Sequence, residues 1–359
     1  MEERRRAREL GVTIGLLTPG QLNSITDVPG VEVGHLSLVR GEGKLVPGTG
    51  PVRTGVTVIK PHPGNLFLDK VPAAVHVING FGKTIGLVQI VELGVIETPI
   101  VLTNTLCAGL AADGLIEYML RRNPDIGVTT GSVNPVVGEC NDSFLNDLQG
   151  RHVKQEHVLD ALAKTSSGPV EEGSIGAGVG MSAFGYKGGI GTSSRRVDDY
   201  TIGALVLVNC GRKEELIIAG FPVGAALPKT NTETNNDGSI MIVIATDAPL
   251  SARQLGRLAK RATHGLARTG ANSSHGSGDI VITFSTATYI PHYSASSTMT
   301  LTGLHESSKE LSRLFCGVAE ATEEAIVNAL FTAQTVVGRD GNQRLGLPIR
   351  ETLAIIKEG

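Results

Sequence analysis

A chain of 359 residues can bury a sizeable core without disulfides or metals, and its length alone admits one large domain or two. A net charge of -3 leaves no basic footprint for nucleic acid, which excludes that class of partner. The 46 glycines, well above the usual share of about 7%, lack the period of collagen and point to tight turns and close backbone approaches.

The N-terminal stretch MEERRRARELGVTIGLL has no long apolar run behind its charges, so no secretory signal is expected. No window approaches 18 apolar residues, so no membrane span is expected either. Cys107, Cys140, Cys210 and Cys316 form no C-x-x-C pair and read as core thiols in a reducing compartment. The expectation is a cytoplasmic α/β protein.

In chain order, VTVIK (56–60), AAVHVIN (73–79) and PIVLTN (99–104) are short β-rich runs. TIGLVQIVELG reads as a helix closed by Gly94, and 106–123 as a longer amphipathic helix before a proline. A further helix is expected at 155–165. The segments 173–197 and 201–211 read as adjacent glycine-rich strands. A polar loop, 230–238, gives way to a strand at 239–246. The helix 251–270 keeps Leu255, Leu258, Ala262 and Leu266 on one face, so its basic residues read as a solvated surface. A strand at 278–286 and a long helix at about 306–337 follow. Strands come in groups, and the second half pairs them with no obvious crossover helix. That favours mixed or antiparallel sheets layered with helices, in one domain without a linker.

Most motif candidates fail. NGFGKT (79–84) ends like a phosphate-binding loop, but the required first glycine is Val77, and a plain turn is the better reading. GAGVG (176–180) does not complete G-x-G-x-x-G, no serine sits in G-x-S-x-G, and H-E-x-x-H is absent.

The junction Gly238–Ser239 offers different chemistry. A serine hydroxyl needs a base. At a chain N-terminus its own α-amine, with a reference pKa of about 7.7–8.0, can serve as one. Such an N-terminus arises if Ser239 attacks the Gly238 carbonyl, the peptide shifts to an ester and water hydrolyses it. Glycine before the cut opens that carbonyl to attack.

Candidate partners lie elsewhere in the chain. Ser277 and Asp279, two apart, fall on one face if their strand has already begun. Asn209 ends a strand and can donate into an oxyanion hole. Glu139 and Asp142, in a loop-like context, can grip a cationic amine. Each of these, and a Gly-Ser pair, also has an ordinary structural reading.

Taken together, NSITDVPGVEVGH (23–35), NGFGKTIGLVQIVELGVIETPIVLTNT (79–105), GSVNPVVGECND (131–142), GAGVGMSAFGYKGGIGTSSR (176–195), DGSIMIVIATDAPL (237–250) and SSHGSGDIVITFST (273–286) resemble the DmpA/BapA family of N-terminal-nucleophile serine aminopeptidases. The resemblance implies a four-layer αββα sandwich, cut between Gly238 and Ser239 into an α chain, 1–238, and a β chain, 239–359. It implies Ser239 as nucleophile, Ser277 and Asp279 beside it, Asn209 in the oxyanion hole and Glu139 on the substrate's free amine. The acid is aspartate at 279 where some members carry glutamate. Asn141 stands where some relatives have tyrosine, a position that bears on substrate preference. No metal or cofactor is implied. Substrates are short peptides, amides or esters with a free amino group, and family members assemble as tetramers of αβ units. Two alternatives stand beside this: an acyltransferase of the ornithine acetyltransferase type, which uses threonine as nucleophile, and an uncleaved relative that binds small molecules.

Overall fold

The computed structural model describes residues 4–228 and 238–358. The polar loop read at 230–237 lies outside the described residues. Nine longer strands are β1 (Glu32–Arg40), β2 (Val52–Lys60), β3 (Asp69–Gly80), β4 (Ile100–Asn104), β5 (Val136–Cys140), β6 (Gly189–Val197), β7 (Tyr200–Asn209), β8 (Ser239–Thr246) and β9 (Gly278–Ser285). The main helices are α1 (Leu87–Leu93), α2 (Ala108–Arg122), α3 (Gln155–Ala163), α4 (Ala252–Arg268), α5 (Lys309–Thr332) and α6 (Ile349–Glu358).

One sheet has the order β1-β2-β4-β5, and the larger has the order β3-β9-β8-β7-β6 with short strands added beside β3. Both are mixed. β4 and β5 run parallel, joined through α2, and β8 and β9 run parallel, joined through α4; the other pairings among these strands are antiparallel.

β8 shows why the layers form. Its residues are apolar on both faces, as a strand buried on both sides requires. Ile240, Ile242 and Ile244 pack with Leu255, Leu258 and Ala262 of α4 and with α5. Met241, Val243 and Ala245 turn the other way and pack with Leu102 and Val136 of the smaller sheet. That sheet's outer face, with Val56, Val58 and Val101, packs on Ala111 and Leu115 of α2 and on Val158 of α3. The four layers are αββα, as the resemblance implies.

The structure departs from the sequence reading in several places. The helix expected to run to about 337 stops at Thr332, because Ala333 turns extended and Val336–Val337 pair with Gln343–Arg344. Of 173–197 only 189–197 is a long strand. Before it, Gly176–Gly178 turns against β2, where a Cβ on Gly55 would lie 2.3 Å from the Gly176 carbonyl oxygen, and Ser182–Ala183 pairs with Tyr186–Lys187 in a short hairpin. The segment around Glu139 is no loop: Val136–Cys140 is an edge strand of the smaller sheet, buried along its length. Cys316 is exposed on α5, unlike the three buried cysteines. Among the described residues no helix is long and apolar enough to cross a membrane.

Candidate active site

Three strands of the larger sheet bring the candidate residues into one row. Asn209 ends β7, Ser239 begins β8 and Gly278 begins β9, and the register pairs Asn209 with Ser239 and Ser239 with Gly278. Gly80, the last residue of β3, pairs with Gly278 and extends the row. The Gly278 N–H donates to Ser239 Oγ at 3.1 Å. Next to it the Ser277 hydroxyl donates to Asp279 Oδ2 at 2.8 Å, and the Ile240 N–H donates to Asp279 Oδ1 at 3.2 Å. Ser277 precedes the strand rather than lying in it, yet the two side chains meet. Burial raises the Asp279 carboxyl above its ordinary range, against the opposing pull of bonds from Ser273, Ser277 and the Ile240 N–H.

Gly238 is fixed by space. A Cβ there would lie 2.5 Å from the Asn209 carbonyl oxygen and 2.6 Å from Cys210 Cα, both backbone atoms. No side chain fits without moving the strand.

The orientation of the Asn209 amide is settled by its neighbours. Its Oδ1 accepts from the Ser182 N–H at 2.8 Å, which can only donate, so the NH2 group faces the Asn141 carbonyl at 3.0 Å. Sequence reasoning missed Ser182 and also Arg344, whose Nε donates to Ser182 Oγ at 3.1 Å while its guanidinium stacks 3.5 Å from the Phe144 ring centre. Asn141 lines the same cleft as Asn209, Gly238, Ser277 and Asp279. Its side-chain oxygen accepts from the Ser143 N–H at 2.9 Å and holds its own turn.

Glu139 arrives from the smaller sheet, paired in register with Thr103, and is only 3% exposed. Its Oε1 accepts from the Lys83 N–H at 2.7 Å and its Oε2 from the Thr105 hydroxyl. Among the described residues no basic side chain pairs with it. The Lys83 ammonium turns instead to the Phe81 carbonyl at 2.7 Å and lies 4.1 Å over the Phe81 ring. The NGFGKT segment, expected to be a plain turn, therefore supplies a donor to the acid. Asp142, offered with Glu139 as a grip for an amine, is fully buried and takes the Asn146 amide at 3.0 Å. Burial pushes its carboxyl up to about 7. It supports the 142–146 turn instead.

A serine at the head of an inner strand, with an oriented amide on one side and a peptide N–H on the other, belongs to a serine hydrolase of the N-terminal-nucleophile (Ntn) fold. Residues 23–344 match Peptidase family S58, and the chain belongs to that family. It is a serine aminopeptidase. Over 98% of its length it is 42% identical to the β-peptidyl aminopeptidase BapA of Sphingosinicella microcystinivorans, covering 92% of that protein. The PH0078 protein from Pyrococcus horikoshii OT3 is 54% identical, with a TM-score of 0.95 and 99% of both chains covered. The L-aminopeptidase D-Ala-esterase/amidase of Ochrobactrum anthropi, a prototype of the serine aminopeptidases with a variant of the Ntn-hydrolase fold, is 36% identical, with a TM-score of 0.89 over 98% of both chains. The acyltransferase alternative is not favoured.

Proposed function

We propose that the chain cleaves itself between Gly238 and Ser239 and that the freed Ser239 removes N-terminal residues from short peptides, amides or esters carrying a free amine. The observation that carries this reading is Glu139. A buried carboxylate holding only neutral donors lacks the cation that burial of a charge calls for, and a substrate ammonium supplies it.

Cleavage begins when Ser239 Oγ attacks the Gly238 carbonyl carbon. The acyl group passes from nitrogen to oxygen, and water hydrolyses the ester, leaving a carboxylate on Gly238 and a free amine on Ser239. That amine then takes the hydroxyl proton as Ser239 attacks a substrate held at Glu139. The Asn209 amide stabilises the oxyanion, the leaving amine or alcohol departs with a proton, and water releases the acyl group. Ser277 and Asp279 hold the nucleophile's surroundings, and in the cleavage step they pass the hydroxyl proton to the departing Ser239 nitrogen, which becomes the free amine.

The names of the relatives extend the substrates to β-aminoacyl groups. We place the enzyme in the cytoplasm as a tetramer of αβ units. Intact mass of the purified protein tests the central claim. Two fragments meeting at Gly238–Ser239, and one uncut chain for Ser239→Ala, are expected. An uncut wild type that hydrolyses no aminoacyl amide refutes it.

A further inference from the structure

The Asn209 amide is held from two sides by two arms of the chain. On one side the Ser182 N–H donates to its Oδ1 at 2.8 Å, and Ser182 opens the hairpin in which Ser182–Ala183 pairs with Tyr186–Lys187. On the other its Nδ2 donates to the Asn141 carbonyl at 3.0 Å, and Asn141 begins the turn that continues through Phe144. An amide is planar, so these two bonds fix its plane. They fix with it the second N–H on the same nitrogen, the one an oxyanion would take.

Arg344 touches both arms. Its Nε donates to Ser182 Oγ at 3.1 Å, and its guanidinium lies 3.5 Å from the centre of the Phe144 ring. It is 1% exposed and lines the same cleft as Asn209 and Gly238. The residues that present it are stapled to the second arm. The Arg339 N–H donates to the Leu145 carbonyl and Asn342 Nδ2 to the Phe144 carbonyl, each at 2.9 Å. Gly338 permits that approach, since a Cβ there would lie 2.1 Å from the Leu145 carbonyl oxygen. Asn209, Ser182 and Phe144 precede the Gly238–Ser239 junction and Arg344 follows it, so this contact joins the two fragments that cleavage would give.

We propose that Arg344 is a positioning residue for the oxyanion hole: by bonding Ser182 and stacking on Phe144 it sets the gap between the two arms that orient the Asn209 amide. This rests on the reading of Asn209 as the oxyanion donor. A guanidinium suits the task because its plane stacks on a ring while its donors point along fixed lines in that plane. A lysine ammonium keeps the charge but has neither the plane nor the fork. With lysine the tie between the arms is lost and the amide drifts. The interaction that weakens is one made in the transition state, so substrate binding is spared.

The test measures kcat and KM with an aminoacyl p-nitroanilide for Arg344→Lys, Ser182→Ala and Asn209→Ala, each shown by intact mass to be cleaved. Loss of an oxyanion donor costs roughly 10²–10³-fold in kcat, and Asn209→Ala sets that ceiling. Arg344→Lys displaces the donor rather than removing it and lowers kcat about tenfold, with KM within twofold. Ser182→Ala keeps the N–H on Asn209, removes the oxygen that takes Arg344, and behaves as Arg344→Lys does. Added to Asn209→Ala, Arg344→Lys lowers kcat by less than a further twofold, because no donor is left to orient; a merely structural role would repeat its full loss. Unchanged kcat in Arg344→Lys, a loss that falls on KM, or a tenfold loss repeated in the Asn209→Ala background overturns the proposal. If Asn209→Ala stays uncut, Arg344→Lys combined with Ser182→Ala replaces it: losses that do not multiply support the tie, and losses that multiply refute it. If Arg344→Lys does not fold or cleave, Ser182→Ala decides by the same split between kcat and KM. A wild-type kcat in Asn209→Ala refutes the oxyanion role itself, and the proposal falls with it.

Discussion

Glu139→Gln isolates charge from shape. Gln has the same length, and the site can satisfy it: Oε1 takes the Lys83 N–H, which can only donate, and Nε2 donates to the Thr105 hydroxyl, which turns to accept. The substitution therefore leaves the fold intact and removes only the negative charge. A hydrogen bond to a charged group contributes about 1.5–3 kcal/mol, more than a neutral one. At about 1.4 kcal/mol per decade, losing that interaction lowers kcat/KM for a free-amine substrate about 10- to 150-fold. An anchor that holds the ammonium in ground and transition states alike puts most of the loss on KM. The assay is steady-state hydrolysis of an aminoacyl p-nitroanilide, with cleavage at Gly238–Ser239 followed by intact mass. Cleavage does not involve a substrate amine and continues in the variant. Unchanged KM and kcat, or loss of cleavage along with activity, would refute the assignment.

Gly238→Ala drives a Cβ into backbone at 2.5 and 2.6 Å, and the strand end must shift to accept it. Cleavage in the alanine variant slows at least tenfold in a time course on a denaturing gel, and a wild-type rate refutes the steric argument. His35 supplies a pH dependence of stability. Its Nδ1 lies 2.9 Å from Thr57 Oγ1, and burial lowers its pKa from 6.5 to about 4. The folded state therefore binds the proton less readily than the unfolded chain. Stability from this group is present above about 6.5 and is lost as pH falls from there through about 4. His35→Gln flattens that part of the acid limb, read as the shift in urea midpoint between pH 7.5 and 4.5. An equal shift in both proteins refutes it.

The central elements were legible because their physics is local. β8 reads as a strand from its continuous run of β-formers, and burial on both faces explains the lack of alternation. The apolar face of α4 was read from its spacing, and Leu255, Leu258, Ala262 and Leu266 are all buried. β5 was not legible. Five residues, Val136–Cys140, contain a glycine and a glutamate, and flanking polar residues give them the look of a loop. Only pairing with β4 makes them a strand. The overextended helix has a similar cause: α5 is buried on nearly all sides, so its apolar pattern runs smoothly into the extended residues beyond it.

The site itself was legible in part, and the missing part was relational. Ser239, Asn209, Ser277, Asp279 and Glu139 each carry chemistry in their side chains, and a search for such chemistry finds them. Ser182, Thr105 and Lys83 act here through a backbone N–H or a single hydroxyl, which no residue type advertises. NGFGKT lacks the first glycine of a phosphate-binding loop and reads from sequence as a plain turn. Its contribution lies in where its backbone passes: between two sheets, touching Ser277 at one end and Glu139 at the other. Ser239 belongs to one sheet and Glu139 to the other, so their spacing is a property of the packing between sheets. The segment 79–83, bonded to Glu139 in one sheet and to the Ser274–Ser277 carbonyls beside Ser239 in the other, bridges the two.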